Sequence, residues 1–302
     1  MLSKIKGDRC SKMVKKLKLP YILILPTFIV VAVLVAYPIF DVIRLSFTDL
    51  LLLRPGTGKF VGLKTFTKTF TDSVFPLVIR NTIAWMALAT IFSIGIGLGV
   101  GYYLSFDWKI NKLLRAIILL PWILPPVISA SIWQWMVHSD FGVINDLLIR
   151  LRILTEGFAW LGEPKIALYV LIGVMVWKNV PMLSILLSAA FQGVPTELLE
   201  AATIDGASEW QKFRRISLPT VSYTLLILMV IVSIWNIQQF VIIWITTRGG
   251  PINSTHILPT YIYEMAFTNF RFGQAAALSV ITIVILMGIS VIYLLLFRKA
   301  GK

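Results

Sequence analysis

Cysteine, histidine and acidic side chains are all scarce in this chain. One cysteine, Cys10, in 302 residues leaves no intrachain disulfide to form, and two histidines, His138 and His256, are too few for a metal centre. No G-x-x-x-x-G-K-[ST] stretch occurs, and "GTGKF" at residues 56–60 is too short to cradle phosphates, so nucleotide hydrolysis on this chain is not expected. Charged residues make up 14% against 58% hydrophobic, with a mean hydropathy of +0.85, which excludes an ordinary soluble domain.

What fills the chain instead is long apolar runs. Crossing roughly 30 Å of hydrocarbon takes about 20 mainly apolar residues, and the runs at 20–46, 78–106, 113–136, 166–191, 218–245 and 274–297 qualify. The expected fold class is therefore an all-α integral membrane protein of six transmembrane helices. The first run exceeds a secretory h-region, so a spanning helix is expected there and not a leader.

The formal charge of +14 does not indicate nucleic acid, because the basic residues flank the spans. Lys4, Lys6, Arg9, Lys12, Lys15, Lys16 and Lys18 precede the first run, which places the N-terminus in the cytoplasm by the positive-inside rule. An even number of crossings puts the C-terminal Arg298, Lys299 and Lys302 on the same side. Three parts follow: a basic tail (1–19), a six-helix domain (20–297) with a cytoplasmic loop at 192–219, and a short tail (298–302). Cys10, Met13, Val14 and Leu17 have helical spacing, which fits either an amphipathic helix on the membrane or a disordered basic anchor.

Pro26, Pro38, Pro121, Pro125, Pro126 and Pro181 fall at membrane depth and are expected to break or kink their helices. Lipid tolerates this only where protein or a water-filled cavity satisfies the freed backbone groups, which favours a transporter. Gly95, Gly97, Gly99 and Gly101 form two overlapping small-xxx-small pairs where another helix can approach.

One polar stretch, "EAATIDGASEWQKFRRISLP" at 200–219, interrupts the apolar pattern. Thr196 is placed to cap a short helix that Gly206 ends in a left-handed conformation. Ser208 and Gln211 have capping-box spacing for a second helix, which Pro219 is expected to close before span five. Ala201 and Ala202 give the first helix a low-bulk face flanked by Glu200 and Asp205, suited to a groove on a cytoplasmic protein; a solvated loop helix has the same composition.

Glu200, Ala201, Ala202, Gly206, Ile216, Leu218 and Pro219 match the E-A-A…G…I-x-L-P signature of permease subunits in bacterial ATP-binding-cassette importers, which the chain resembles. "FVGLKTF" at 60–66, Asn81 with Thr82, "LLPWILPPVIS" at 119–129, "FGVIND" at 141–146 and "TTRGGP" at 246–251 resemble the carbohydrate-importer branch, on the MalF-like rather than the MalG-like side. The long extracytoplasmic insertion of MalF itself is missing, so the likeness is to shorter six-span members. The resemblance implies a second, MalG-like permease, two cytoplasmic ATPase subunits that use ATP and Mg, an extracytoplasmic solute-binding protein, and a sugar or sugar derivative as cargo. It implies no cofactor on this chain, and location in the bacterial cytoplasmic (inner) membrane.

Polar groups at membrane depth are functional suspects. Trp177, Lys178, Asn179 and Met182 in span four, and Asn236, Gln238, Gln239 and Phe240 in span five, combine the amides and flat apolar faces that sugars need. The resemblance implies that Lys178, Asn179, Met182, Asn236 and Gln239 line the solute path, with Ser129 a weaker match. The competing role is hydrogen bonding with the helices of the second permease. An unpaired Lys178 ammonium would need a counter-charge, such as an anionic sugar. His138 and His256 are expected at the surface, and Glu264 is expected to be a structural loop acid. A polyamine or phosphate-ester cargo remains an alternative. A secondary transporter is disfavoured because Asp41, near a span end, is the one acid close to membrane depth.

Overall fold

The computed structural model describes residues 21, 23–54 and 56–300; the basic tail with Cys10 lies outside them, as does Lys302. Among the described residues the chain is helical, with a single isolated bridge between Thr48 and Phe60. Five helices are long and apolar enough to cross a membrane, and a bent pair makes a sixth.

The spans are α1 (Leu23–Ser46), α3 (Phe75–Ser105), the bent pair α4 (Asn111–Ile123) and α5 (Pro126–Met136), α7 (Ala167–Gln192), α10 (Leu218–Ile237) and α13 (Phe272–Ala300). Between them lie α2 (Lys64–Phe70), α6 (Val143–Arg150), α8 (Thr196–Ile204), α9 (Glu209–Lys212), α11 (Val241–Thr246) and α12 (Leu258–Tyr263). One end of the bundle carries the α8–α9 hairpin. The other carries α2, α6 and α12.

The bundle is organised around α3 and α7. Gly97 and Gly101 lie against α7: a Cβ on Gly97 would stand 3.0 Å from the Cβ of Leu183, and one on Gly101 2.9 Å from the Cβ of Leu187 and the carbonyl of Ser184. Gly95 and Gly99 have nothing within 4 Å, so among the described residues only one of the two overlapping pairs serves packing. Trp85, Leu171, Met175, Ile242 and Ile243 form the central core cluster, and Ile94, Leu183, Leu187 and Val232 form a second toward the hairpin.

Proline behaves in three different ways. Pro125 and Pro126 break span three, and α4 and α5 meet at 94°, so the run expected at 113–136 is not one helix. Pro38 and Pro219 instead follow wide π-turns, Ala32–Ala36 and Phe213–Ser217, which open the preceding turn where the ring would strike the carbonyl four residues back. Pro219 therefore does not close the hairpin's second helix; α9 runs through the π-turn into α10. Pro181 lies inside an uninterrupted α7.

Span five departs from expectation in another way. It breaks at Gln238–Phe240, between α10 and α11, with neither proline nor glycine there. Asp41 is ion-paired with Arg44 at 2.8 Å.

Candidate functional site

Two places combine exposed or interrupted backbone with polar side chains: the hairpin, and the junction where the two broken spans meet α7.

In the hairpin, α8 begins after Pro195, and Thr196 is its first helical residue, making no capping bond; the cap expected from Thr196 is not formed. Gly206 has φ +76°, and the N–H of Ala207 reaches back to the carbonyl of Ala202 at 2.9 Å, closing the helix with a left-handed residue where a side chain would be strained. The capping box is present: Gln211 N–H donates to Ser208 Oγ at 3.3 Å, and Ser208 N–H to Gln211 Oε1 at 2.7 Å. Phe213 anchors the corner through Tyr102 of α3, at 4.7 Å between rings, and Phe191 of α7.

Glu200, Ala201, Asp205, Gly206 and Pro219 are exposed, whereas Ala202, Ile216 and Leu218 are half-buried against the bundle. Ile204 is 88% exposed, although an isoleucine on a polar hairpin gains about 1.5–3 kcal/mol from full burial. Leu198 and Trp210 are also exposed.

At the junction, the break in span three frees the carbonyls of Pro121 and Trp122, since Pro125 and Pro126, four residues on, have no N–H. Lys178 of α7 takes them. Its Nζ donates to the carbonyls of Pro121 at 3.3 Å, Trp122 at 3.4 Å and Leu124 at 2.6 Å, at the negative end of α4. Lys178 is buried and its three donors are satisfied by backbone carbonyls, so its position does not by itself call for an anionic sugar.

The break in span five is held by the same kind of device. Trp85 of α3 donates its indole N–H to the carbonyl of Asn236 at 2.9 Å, where α10 is about to end. Asn179 donates to Asn236 Oδ1 at 3.0 Å, and Asn236 Nδ2 donates to Thr90 at 3.0 Å. Asn236 is 0% exposed, so it ties α3, α7 and α10 together within one chain. The hydrogen bonding weighed for Asn236 against a second permease is made here between helices of one chain.

The other residues at the junction are more open. Gln238 is exposed; Trp177, Asn179, Met182, Gln239 and Phe240 are half-buried. Trp177 meets Trp133 of α5 edge-on at 5.6 Å, and Gln239 reaches the sulfur of Met175 at 3.4 Å. Ser129 is fully buried, and among the described residues its Oγ, like Trp133 Nε1 one turn further along α5, has no hydrogen-bond partner.

The sequence reading missed Trp85, Thr90 and Trp133. Their signal was present, polar atoms inside apolar runs, but aromatic and hydroxyl side chains are too common in membrane helices to single out.

At the opposite end, Asn81 donates to the carbonyls of Ser254 at 2.9 Å and His256 at 3.2 Å, while Leu258 N–H donates to Thr82 at 3.0 Å. His256 is 1% exposed and paired with Glu264, not at the surface as expected, and Gly249 lies so close to its ring that a Cβ would overlap it. Burial pushes the His256 imidazole down, against the opposing pull of Glu264. Tyr261 donates to Asp72 at 2.9 Å; burial, then this carboxylate, raises the phenol well above its ordinary value.

Residues 93–302 match the model of a family described as "Binding-protein-dependent transport system inner membrane component". The chain belongs to that family. This permease is similar along its length to the trehalose/maltose transport system permease protein MalF of Thermococcus litoralis, at 31% identity over 95% of each chain. It is also similar to a probable ABC transporter permease protein of Pyrococcus horikoshii, at 34% identity over 91% of this chain and 94% of that one. Its fold matches a chain in the crystal structure of a bacterial alginate ABC transporter in complex with an alginate pentasaccharide-bound periplasmic protein. There the TM-score is 0.84 at 24% identity, covering 96% of this chain and 98% of the other. The permease is thus a membrane-spanning transport component with the type I ABC importer fold.

Proposed function

We propose that this permease forms half of the path of an ATP-driven importer for a sugar or sugar derivative. The other half comes from a second, MalG-like permease. Two copies of a cytoplasmic ATPase bind and hydrolyse ATP with Mg, and an extracytoplasmic binding protein delivers the solute. Both termini of this chain and its hairpin face the cytoplasm.

The observation that carries the reading is the hairpin. Gly206 and the Ser208–Gln211 box fix its corner, aromatic rings anchor it to α3 and α7, and yet Ile204 remains exposed one turn from Glu200. A rigid, anchored helix with an open apolar and acidic face acts as a lever between a moving partner and the bundle. ATP closure and solute-loaded binding protein must then favour the same permease state by differential affinity.

In this reading Gln238, Gln239 and Phe240, on the interrupted backbone of span five, and Trp177 and Met182 beside it, meet the solute. Broken helices are where transporters place such sites. Asn236 and Lys178 hold the frame around them, and Ser129 with Trp133 offers unused polar atoms at its edge. The similarity to a permease named for trehalose and maltose favours a sugar cargo over a polyamine or phosphate ester.

The test is radiolabelled sugar uptake together with ATP hydrolysis in proteoliposomes of the full complex. Glu200→Lys and Gly206→Pro are expected to abolish uptake, at normal membrane levels, while basal ATPase activity is no longer raised by loaded binding protein. Normal uptake in both variants contradicts the assignment.

A further inference from the structure

A cavity of about 340 Å³ opens at the bundle end opposite the hairpin, between the chain leaving α1, helix α2 and the first turn of α13. Arg54, Lys64, Lys68 and Arg271 line it, with Asp49 as the one acid, whose Oδ1 already accepts from the N–H groups of Gly58 at 2.9 Å and Lys59 at 2.8 Å. Among the described residues none of the four cations is in an ion pair. The wall also carries the positive end of the 29-residue α13.

The cavity has a second feature independent of charge. Gln274, in the first turn of α13, is 4% exposed, and among the described residues neither its Oε1 nor its Nε2 has a hydrogen-bond partner. A buried amide left unpaired is costly, because it has given up water without gaining a partner. A ligand that brings oxyanion acceptors for Nε2, and a hydroxyl for Oε1, removes that cost.

The surroundings are apolar. Leu52, Leu53, Phe60 and Leu63 stand exposed along the segments that form the cavity, and the apolar window of α1, which packs on α13, has no buried residue. A free anion would leave these surfaces bare, whereas an amphiphile covers them with its chains while its head occupies the cavity. We propose that this cavity binds the headgroup of an anionic phospholipid, with the phosphodiester held by Lys64, Lys68 and Arg271 and a glycerol hydroxyl held by Gln274.

The test is native mass spectrometry of the full-length chain, purified with its co-purifying partners in mild detergent and exposed to phosphatidylglycerol or phosphatidylcholine. Wild type is expected to retain phosphatidylglycerol at least tenfold more than phosphatidylcholine, and to keep it in millimolar inorganic phosphate. The triple variant Lys64→Gln, Lys68→Gln, Arg271→Gln is expected to lose that preference. Because the triple change can disturb folding, Gln274→Leu serves beside it: it removes the unpaired amide, keeps thermal stability, and is expected to lower phosphatidylglycerol retention several-fold. Equal retention in wild type and Gln274→Leu overturns the proposal. So does displacement by inorganic phosphate, which would mark a free-phosphate site. Loss of a protein partner from the variants, with no lipid retained by wild type, would instead give the cavity to a partner's carboxylate and also overturn it.

Discussion

The ammonium of Lys178 lies 2.6 Å from the carbonyl of Leu124, on a helix end more than fifty residues earlier in the chain. That contact, with those to Pro121 and Trp122, makes Lys178 the cap of a broken membrane helix, where water is not available to do the same work.

Lys178→Met keeps the side chain's length and removes the donors. Each carbonyl stranded in the bundle costs about 1–3 kcal/mol, so a clear fall in the melting temperature of the purified complex is expected. The ratio of uptake between a neutral and an anionic sugar is expected to stay unchanged. A stable Lys178→Met complex with an altered charge preference contradicts the capping role.

The glycines of α3 separate into two kinds. Gly101→Leu, and less severely Gly97→Ala, are expected to force α3 from α7, since overpacking costs about 1–3 kcal/mol or more. Gly95→Ala and Gly99→Ala meet nothing among the described residues and are expected to be tolerated by this chain. Protein level in the membrane and resistance to detergent unfolding separate the two pairs.

The Asn179–Asn236 bond spans the two sides of the junction. A double-mutant cycle with Asn179→Leu and Asn236→Leu is expected to show a favourable coupling of about 0.5–2 kcal/mol in unfolding. Additive effects would leave Asn179 free of the frame.

Much of this was legible in the sequence because the bilayer allows few structures. Run length gave the spans, glycine at 206 the corner, and Ser208 with Gln211 the capping box. What was not legible depends on partners distant in sequence. Nothing local distinguishes Gly97 from Gly95, or shows that Lys178 faces Pro121. The break at Gln238–Phe240 has no breaker residue; it depends on Trp85 and Thr90 of α3 taking the polar groups of Asn236. Likewise His256 reads as a loop histidine until Asn81, Gly249 and Glu264 enclose it.

That enclosure predicts a pH response. Burial lowers the imidazole's affinity for a proton in the folded state, so folding and protonation oppose each other. The loop's stability is complete above the unfolded pKa of about 6.5 and is lost as pH falls below it. Amide hydrogen exchange across residues 247–263 is expected to quicken, after correction for intrinsic rates, between pH 7.5 and 5.5. His256→Gln is expected to flatten that dependence.

The most direct test of the account places a single cysteine at the hairpin. In a Cys10→Ser background, Ile204→Cys is treated with a short bifunctional thiol–amine cross-linker in native membranes, with Leu53→Cys at the opposite end as control. An adduct is expected between Ile204→Cys and a cytoplasmic ATP-binding subunit, identified by mass spectrometry and lost when Glu200→Lys is added. No adduct at Ile204→Cys in membranes that transport normally, or the same adduct at Leu53→Cys, contradicts it.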